Sequence, residues 1–526
     1  MRYICFIFSF LISFILLGCG TKTPSVASYQ KHTKPSINYN PKNIQTLLHY
    51  TLSTNQSAFY PLDDPRDAFS ARIYLIDHST NSIDVQYYIY EDDISGAIFS
   101  YHLLQAAKRG VNVNILIDDL DTSGKDKAWL LLTMHPNIHL KLFNPIYFRK
   151  TLRFAKLAFN IDSLGKRMHN KALIIDDSVA IIGGRNIGNI YYATGDDTLF
   201  LDFDMLCAGE IVKDIKEMFL VFYHSHQAEE ATAILDAKIS QKEIQKEEKI
   251  LISMVKQFKQ TSIADAMLHS EFIQKVQTFT LELSLADAQF YYDLPQKVKA
   301  NPTQKSYSIA HKIDQEIYKI QKEILIISPY FIPTKKMMEK FIYLRKKGIK
   351  ITVITNSLAS NDVFLVYSGY QKYIYQLLNI GVKLYELKPQ SFHRLKKQKR
   401  WLTQNKVSLH TKLMILDKRY IGLGSANLDP RSIELNTEIF MIIDSKKLAL
   451  ELLQKTKKSI ISDDFIKVTW GEIPVPYTLK DIKFYGPIYK TTENGKEKTY
   501  YNPPYSGFFK TLGTNILSYF PIEGYL

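Results

Sequence analysis

Cysteine is rare in this chain of 526 residues, which contains three: Cys5, Cys19 and Cys207. Two of them lie near the N-terminus, so Cys207 stands alone in the rest of the sequence. One cysteine cannot form an intrachain disulfide framework, and the sequence therefore excludes a disulfide-bonded scaffold. With 46% hydrophobic residues, a chain of this length can bury large cores and should divide into at least two domains.

Long apolar runs are also few. The clearest extends from Tyr3 to Leu17, about 15 residues, which is short for a membrane-spanning helix and normal for a signal peptide. The sequence LLGC that ends at Cys19 fits a bacterial lipoprotein cleavage box. We therefore predict a signal peptide over 1–18 and a lipidated Cys19, which would anchor the mature chain on the membrane outside the cytoplasm, on the periplasmic side in a Gram-negative cell. An uncleaved signal anchor is the alternative.

Acidic residues are outnumbered by basic ones, 52 against 67, which gives a formal net charge of +15. A basic balance suits an anionic partner such as phospholipid head groups or nucleic acid. A lysine-rich composition can equally reflect codon bias in an A+T-rich genome, so the total charge does not select a partner. The sequence shows no cluster of metal ligands, and we predict neither a metal nor another cofactor.

What the sequence does contain is one motif twice. Residues 168–188 read MHNKALIIDDSVAIIGGRNIG, and residues 409–428 read LHTKLMILDKRYIGLGSANL. A lone H-x-K on a strand usually lies on a solvated face, but here the second histidine and the second asparagine each follow the first by 241 positions. Chance does not explain two copies in one register. The motif residues are His169, Lys171, Asp176 and Asn186 in the first copy, and His410, Lys412, Asp417, Ser425 and Asn427 in the second.

Each copy reads as a β-hairpin, in which an apolar run, a polar turn at Asp176 and a second apolar run follow one another. Side chains two apart on a strand share a face, so His169 and Lys171 should project together. The glycine pair that follows allows a tight turn and returns Asn186 to the same rim. Two facing copies would place two imidazoles, two ammonium groups and two carboxamides around one pocket.

Strands alternate with helices in both halves of the sequence, which favours an α/β fold with a mainly parallel mixed sheet and helices on both faces. The segments at 82–90, 108–119 and 137–145, each with a strand-like run, are echoed at 323–333, 346–357 and 381–389. We therefore predict two duplicated α-β-α domains that face each other across one active site. The predicted segments are a flexible polar tether over 19–60, a first domain over 61–225, a helical insertion over 226–305, a second domain over 306–470 and an aromatic tail over 471–526.

The paired motifs resemble the signature of the phospholipase D superfamily, H-x-K-x4-D-x6-G-[GS]-x-N. Within it, the chain is similar to the C-type branch of the bacterial cardiolipin synthases. That closer similarity covers roughly residues 68–225 and 308–445 and the tail. It rests on NSIDVQYYIYEDDISG (81–96), MHNKALIID, GGRNIG, SPYFIPT (328–334), ITNSLASND (354–362) and GSANLDPRSIELNTE (424–438).

The resemblance implies a role for each motif residue. His169 would be the nucleophile and His410 the general acid and base. The resemblance also implies an acidic residue downstream of each motif that hydrogen-bonds a catalytic histidine. We assign Asp204, 35 residues after His169, and Glu438, 28 residues after His410. The remaining assignments are Lys171, Lys412, Asn186 and Asn427 as donors to phosphate oxygens, Ser425 as a supporting residue, and Asp176 and Asp417 as anchors of the motif.

Two further features have two interpretations each. Basic clusters at 149–167 and 393–401 precede the motifs, and they either attract phosphate at the pocket mouth or form solvated loops. The first cluster contains Arg149, Lys150, Arg153, Lys156, Lys166 and Arg167. In the tail, one set of apolar residues either forms the face of an interfacial helix or packs onto the fold: Phe508, Phe509, Leu512, Ile516, Leu517, Tyr519 and Phe520.

The favoured function is transfer of a phosphatidyl group from one phospholipid to phosphatidylglycerol, which makes cardiolipin. The alternatives are hydrolysis of phospholipids to phosphatidic acid, and an extracytoplasmic nuclease acting by the same steps; a non-enzymatic membrane-binding module is disfavoured by the paired motifs. Expected partners are phosphatidylglycerol, phosphatidylethanolamine as a second candidate substrate, and the membrane surface rather than nucleic acid. Because one chain carries both motifs, catalysis should require no oligomer.

Overall fold

The computed structural model describes residues 56–146, 165–195, 198–235, 239–301, 305–389, 406–461, 464–474, 483–493 and 495–519. All of these ranges belong to one compact unit, Asn38–Leu526. The predicted signal peptide and Cys19 lie outside the described residues. None of the helices in the described ranges is long and apolar enough to cross a bilayer.

The first half alternates strands and helices as its sequence pattern predicts. Its strands are β1 Ser57–Leu62, β2 Ser82–Tyr87, β3 Asn112–Asp118, β4 Ile138–Phe143, β5 Ala172–Ile175, β6 Val179–Gly183, β7 Thr198–Leu201, β8 Asp204–Gly209 and β9 Ala228–Glu230. Its helices are α1 Pro65–Asp77, α2 Ile94–Lys108, α3 Asp126–Thr133, α4 Asn189–Tyr192, α5 Ile211–Tyr223 and α6 Ala231–Ile234. Helix α2 shows how such a helix begins and ends. The Asp93 side chain caps its first turn by accepting from the Gly96 N–H, and Gly110 follows its end with a positive φ of 98°.

The second half repeats this order after a connecting segment. The connection contains α7 Gln241–Phe258, α8 Ser262–Leu268, α9 Glu271–Gln277 and β10 Ser284–Tyr292. The strands that follow are β11 Glu323–Ile327, β12 Lys350–Asn356, β13 Lys383–Leu387, β14 Lys406–Leu409, β15 Leu413–Leu416, β16 Tyr420–Gly424, β17 Ile439–Asp444, β18 Phe465–Ile473, β19 Phe484–Glu493 and β20 Lys496–Tyr500. The helices are α10 Ala310–Tyr318, α11 Lys335–Lys346, α12 Phe364–Gln371, α13 Ile374–Asn379, α14 Pro430–Glu434, α15 Lys446–Ile461 and α16 Phe508–Leu517.

The sheets of the two halves join edge to edge. In the first half the strand order is β9-β4-β3-β2-β5-β6-β8-β1, and in the second half it is β10-β17-β16-β15-β11-β12-β13-β18-β19-β20. The junction is the antiparallel pair β1–β10. A separate parallel pair, β7–β14, also crosses from one half to the other. The backbone of each half is therefore hydrogen-bonded to the other.

The two motif hairpins are buried on both faces, which is why they read as continuous apolar runs. Alternate residues of β5 enter different cores: Leu173 and Ile175 face the outer core of the first half. Ile174 faces a core that also contains Leu413 and Ile415 of the second half, together with helices α5 and α15. This shared core lies between the two halves and fixes one motif hairpin relative to the other.

The α/β class and the duplication are confirmed, and three details differ from expectation. Within the large sheet, parallel pairing of the described strands is confined to β2–β3–β4 and β11–β12–β13, because the motif hairpins and their neighbours pair antiparallel. The insertion is helical over α7–α9, but its last part forms strand β10 of the sheet. Strand β1 begins at Ser57, so the folded part starts before the predicted end of the tether at residue 60. The domain boundaries 61–225 and 306–470 stay predictions.

Candidate active site

The backbone of each motif histidine is held by the opposite half of the chain. The His169 N–H donates to the Thr437 carbonyl oxygen at 2.9 Å, just before β5. In the matching position, the His410 N–H donates to the Leu201 carbonyl oxygen at 2.8 Å, between β14 and β15. The two histidines therefore lie at one seam, where both halves meet, rather than in two separate sites.

The side chain of each motif histidine is also held by a residue from the opposite half. His169 Nδ1 lies 2.9 Å from Glu438 Oε2, which comes from the second half. His410 Nδ1 lies 2.6 Å from Asp202 Oδ2, which comes from the first half. A carboxylate on Nδ1 orients the ring and leaves Nε2 as the nitrogen for chemistry. The result is a pair of crossed imidazole–carboxylate dyads.

The prediction that Asp204 supports a histidine is wrong, and the supporting residue is Asp202. Strand register explains the difference: Gly183 pairs with Asp204 as Gly424 pairs with Phe440, so Asp202 and Glu438 occupy equivalent positions. Asp204 instead accepts from Arg72 Nη2 at 2.9 Å and from Arg185 Nη1 at 3.0 Å, all three side chains being buried. Counting from the glycine of each motif would have identified Asp202. Counting from the histidine fails because the segment before β8 is longer.

The two lysines lie against the histidines that precede them by two residues. Lys171 Nζ donates to the His169 carbonyl oxygen at 2.7 Å, and Lys412 Nζ donates to the His410 carbonyl oxygen at 2.6 Å. Lys412 Nζ also lies 3.1 Å from His410 Nδ1. Both ammonium groups are buried, so they gain by pairing with an anion that enters the site.

The two motif asparagines have different hydrogen-bond partners. Asn186 is fully engaged: its Oδ1 accepts from the Ile89 N–H at 3.2 Å, and its Nδ2 donates to the Tyr191 hydroxyl at 2.7 Å. Asn427 Oδ1 is buried and has no hydrogen-bond partner within the described part of the chain. Ser425 donates its hydroxyl to Glu438, and Ser425 Oγ accepts from the Ile439 N–H at 3.0 Å.

Gly184 stands where the second motif has Ser425, and the structure shows why. A Cβ at Gly184 would lie 2.2 Å from Asp202 Oδ1, so any side chain there would force the Asp202 carboxylate to move. Aspartate is one methylene shorter than glutamate, and it approaches the backbone where Ser425 fits beside Glu438. The glycine of the first motif and the serine of the second therefore match the two carboxylates.

Asp176 and Asp417 close the motif hairpins on the side away from the histidines. Both have positive φ, 49° and 51°, at the first central position of a tight turn, a conformation that aspartate tolerates. Asp176 accepts from the N–H groups of residues 80–82, and Asp417 accepts from those of residues 321–323, at 2.7 to 3.0 Å. Each carboxylate therefore ties the hairpin turn to the start of the neighbouring strand.

The charge balance of the site favours neutral imidazoles and ionised carboxylates. Burial lowers the pKa of His169 to about 4, although Glu438 opposes this shift. Burial also lowers the pKa of His410, and the Lys412 charge acts in the same direction. For Glu438, burial alone would raise the pKa, but the attractions of His169 and Lys171 and the hydrogen bonds with His169 and Ser425 together bring the pKa down to about 2. For Asp202, burial opposes ionisation in the same way, and His410 and Lys412 together hold the pKa below its ordinary value.

The lysines complete this balance. Burial lowers the pKa of Lys171 well below its ordinary value, with the Lys412 charge contributing, and burial likewise lowers the pKa of Lys412. An anion placed between the four groups would reverse these shifts, because it stabilises every protonated form around it. The charge balance of the site therefore favours the binding of an anion.

Aromatic rings form the walls around the histidines. Tyr88 lies edge-on to the His169 ring at 5.0 Å, and Lys171 Nζ lies 5.4 Å from the centre of the Tyr88 ring. Phe200 stacks on the His410 ring at 5.0 Å, and Tyr191 meets it edge-on at 5.4 Å. These rings pack against both imidazoles and hold them in place.

A buried ion pair behind Glu438 was not predicted from the sequence. The Asp293 carboxylate accepts from the Glu438 N–H at 2.9 Å and from Lys297 Nζ at 2.7 Å. In return the Asp293 N–H donates to the Glu438 carbonyl oxygen at 2.9 Å. Both residues follow β10 in the insertion, outside the duplicated pattern, so the repeat gave no signal for them.

The basic cluster of the first half lies mostly outside the described residues. Lys166 Nζ donates to the Ala300 carbonyl oxygen at 2.8 Å, and the buried Arg167 guanidinium lies 3.3 Å from Asp118 Oδ1. Arg167 thus serves an internal ion pair rather than a phosphate rim. The cluster at 393–401 also lies outside the described residues.

Within the described ranges, no group of three or more His, Cys, Asp or Glu side chains could hold a metal ion.

Comparisons with known proteins agree with this geometry. A family model described as "Cardiolipin synthase, PLD-like domain" matches residues 73–220 and 313–460, together more than half of the chain. Cardiolipin synthase C of Escherichia coli (strain K12) is 36% identical over 405 residues, which cover 76% of this chain and 84% of that protein. An uncharacterized protein of Helicobacter pylori (strain J99 / ATCC 700824) is 33% identical over 506 residues, 94% of each chain. Among solved structures, phosphatidylserine synthase of Haemophilus influenzae Rd KW20 matches with a TM-score of 0.54 at 14% identity, covering 78% of this chain and 89% of that one, which shows a shared fold.

Proposed function

Because the chain belongs to the cardiolipin synthase family of phospholipase D-like proteins, we propose that it is a membrane-associated phosphatidyltransferase that makes cardiolipin from phosphatidylglycerol and a second phospholipid. The observation that carries this proposal is the crossed pair of imidazole–carboxylate dyads. It provides two oriented imidazoles in one pocket whose charge suits a phosphodiester. Phosphatidylethanolamine is the second candidate donor.

In the first step, His169 Nε2 attacks the phosphorus of the donor lipid. The phosphorus–nitrogen bond forms, the bond to the head-group oxygen breaks, and His410 gives its proton to the leaving alkoxide. Lys171 and Lys412 stabilise the charge that grows on the non-bridging oxygens. The low pKa of His169 suits a nucleophile that must be neutral, and the phosphodiester charge restores the proton on His410.

In the second step, His410 accepts the proton of a phosphatidylglycerol hydroxyl. The hydroxyl oxygen attacks phosphorus, the bond to His169 breaks, and cardiolipin leaves. Water in place of the hydroxyl would give phosphatidic acid. The rings of Phe200, Tyr191 and Tyr88 around the histidines support the alcohol as acceptor, because a site with little water favours transfer over hydrolysis.

The test uses purified wild type and His169→Ala in mixed vesicles of phosphatidylglycerol and phosphatidylethanolamine with EDTA present. Lipid products are identified by mass spectrometry. Cardiolipin from wild type alone supports the proposal, and the released glycerol or ethanolamine identifies the donor. Phosphatidic acid without cardiolipin would indicate a phospholipase D. Absence of any lipid product would contradict both and leave the nuclease to be tested.

We also propose that the chain is an extracytoplasmic lipoprotein anchored through Cys19, as its LLGC box indicates. Mass spectrometry of the N-terminal peptide from membranes should find diacylated Cys19 as the first residue. A Cys19→Ala variant should keep residues 1–18, because the lipoprotein peptidase requires the modified cysteine. An unmodified, uncleaved N-terminus in wild type would instead indicate a signal anchor.

A further inference from the structure

Helix α16 presents its large apolar side chains outward. Phe508 and Phe509 are 73% and 86% exposed, and Tyr519, just beyond the helix, is 89% exposed. Thr514, on the inner side, is completely buried. An ordinary surface helix has the reverse arrangement, with its apolar stripe on the core. The outward residues, here called the aromatic ridge, are Phe508, Phe509, Leu512, Ile516 and Tyr519.

Polar contacts fix this orientation. Lys510 Nζ donates to the Asn361 carbonyl oxygen at 3.3 Å, and Gln371 Nε2 donates to Asn515 Oδ1 at 2.8 Å. Thr514 donates its hydroxyl to the Lys510 carbonyl oxygen of the same helix at 2.8 Å. Helix α16 thus packs its polar side on α12, and the ridge is left facing outward.

The helix that carries the ridge packs on α12, and the residues just before α12 border the active site. Asn361, which Lys510 contacts, precedes Asp362, and Asp362 accepts from the Tyr330 hydroxyl at 2.7 Å. Asp362 also lies close enough to Lys412 for electrostatic interaction. Two further apolar residues, Val363 and Phe364 at 36% and 43% exposed, follow directly. The exposed apolar surface therefore extends from the tail helix toward the residues beside the catalytic lysine.

We propose that the aromatic ridge docks on the surface of a phospholipid bilayer and holds the active site against it. This rests on the proposed function, since it assumes phospholipid substrates. Phenylalanine and tyrosine on one outward face of a short helix have the chemistry of an interfacial anchor. The net charge of +15 complements an anionic surface such as phosphatidylglycerol. A patch of this kind rarely stays exposed to water without a partner.

The first test compares turnover of the full chain on two forms of the same lipids. One is a vesicle of equimolar phosphatidylglycerol and phosphatidylethanolamine, and the other is their short-chain analogues below the micelle concentration. Phe508→Ser combined with Phe509→Ser should lower turnover on vesicles by about ten-fold or more. The same variant should leave turnover of the dissolved short-chain lipids within about two-fold of wild type. Equal losses on both forms, or no loss on vesicles, would overturn the proposal.

A matched control removes two exposed apolar residues elsewhere. Leu268 and Phe279 in the insertion are 67% and 61% exposed. Leu268→Ser combined with Phe279→Asn should leave turnover unchanged on both forms of lipid. A vesicle-specific loss in this control would mean that any exposed apolar pair matters, and would also overturn the proposal.

A second test does not depend on activity. Phe509→Trp adds an indole to a chain that has three tryptophans, and its added emission should be quenched by brominated phosphatidylglycerol vesicles. No added quenching relative to wild type would contradict docking of the ridge on lipid. If wild type made no lipid product at all, the proposed function would fail, while this quenching would still decide whether the ridge binds a bilayer.

Discussion

Asp202 and Asp204 are two positions apart and both fully buried, yet their partners differ. Asp202 contacts the His410 ring, whereas Asp204 neutralises Arg72 and Arg185. Asp202 lies between β7 and β8 and Asp204 is the first residue of β8, so the rule that strand side chains two apart share a face does not apply to this pair. One therefore belongs to the pocket and the other to the internal support of the first half.

Asp202→Asn should therefore lower turnover, whereas Asp204→Asn should lower the stability of the fold. Loss of the Asp202 carboxylate leaves His410 without its acceptor, so turnover should fall roughly 10²–10⁴-fold with little loss of stability. Loss of the Asp204 carboxylate leaves two buried guanidinium groups uncompensated, which should destabilise the fold by about 3–5 kcal/mol. Turnover assays and urea unfolding of both variants check this. A stable, inactive Asp204→Asn beside an active Asp202→Asn would reverse the assignment.

Gly184→Ser is predicted to inactivate the enzyme, although serine occupies the matching place in the second motif. The new Cβ would collide with Asp202 Oδ1 and displace the carboxylate from His410. Turnover should fall at least 100-fold, roughly the loss expected of Asp202→Asn. The control is Ser425→Gly, which removes a hydroxyl without creating a collision and should retain more activity. Equal activity of Gly184→Ser and wild type would contradict the account of the first motif.

At the scale of elements, strand β10 acts on the site through the residues that follow it. Asp293 holds the backbone of Glu438, and Lys297 donates to both the Asp293 carboxylate and the Ser432 carbonyl oxygen. Asp293 thus positions a residue that contacts His169 without reaching the substrate itself. Burial raises the pKa of Asp293 to about 6, with Lys297 opposing the shift.

Asp293→Asn should lower kcat about ten-fold and leave KM nearly unchanged, because orientation of His169 is impaired while Lys171 and Lys412, the proposed phosphate-binding residues, stay in place. The variant should also shift the acid limb of the pH–rate profile, which a purely structural residue would not do. Asp287→Asn, at an exposed position of the same strand, is the control and should behave as wild type. A change in KM alone would argue against a positioning role.

Strand β13 carries a second buried carboxyl group, Glu386, which accepts from the Tyr367 hydroxyl at 3.1 Å. Burial raises the pKa of Glu386 from 4.5 to about 8. Between about pH 4.5 and pH 8, the Glu386 carboxyl is protonated in the folded chain and ionised in the unfolded chain. Because the unfolded chain then binds fewer protons, Glu386 lowers the free energy of unfolding as pH rises through this range.

Glu386→Gln should remove that contribution, which amounts to a few kcal/mol. Urea unfolding at pH 5, 6.5 and 8 should give a smaller fall in unfolding free energy for the variant than for wild type. Glu451→Gln, at an exposed position on α15, should keep the wild-type dependence. Identical pH slopes for Glu386→Gln and wild type would mean that Glu386 is ionised in the folded chain.

At the scale of the whole molecule, the repeat predicted the duplicated α/β fold and the shared pocket. His169 and His410 could be located because a motif repeated in register is local in sequence. Glu438 was assigned from the family resemblance, but the exchange of partners between the halves was not predicted, because the contacts of His169 with Glu438 and of His410 with Asp202 join residues 269 and 208 positions apart. Asp293 was missed for the same reason, and the pairing of β1 with β10 is a long-range contact with no periodic signal.

The outcome for the tail also depends on packing. The spacing of Phe508, Phe509, Leu512 and Ile516 predicted one apolar helix face, and the described helix has it. Whether that face points inward depends on which side Thr514, Asn515 and Lys510 present to α12, which spacing does not reveal. The basic cluster shows the opposite outcome for a charged side chain, because Arg167 is buried and pairs with Asp118 instead of facing solvent.

The central claim is that one site, assembled from both halves, transfers a phosphatidyl group through His169. The most direct measurement is to mix excess enzyme with a fluorescent phospholipid whose chains are ether-linked, quench in alkali, in which phosphohistidine and ether bonds both survive, and map the labelled peptide by mass spectrometry. We predict a phosphatidyl adduct on the peptide that contains His169, with none in His169→Ala. An adduct on the His410 peptide, or cardiolipin formation without any adduct, would contradict the account.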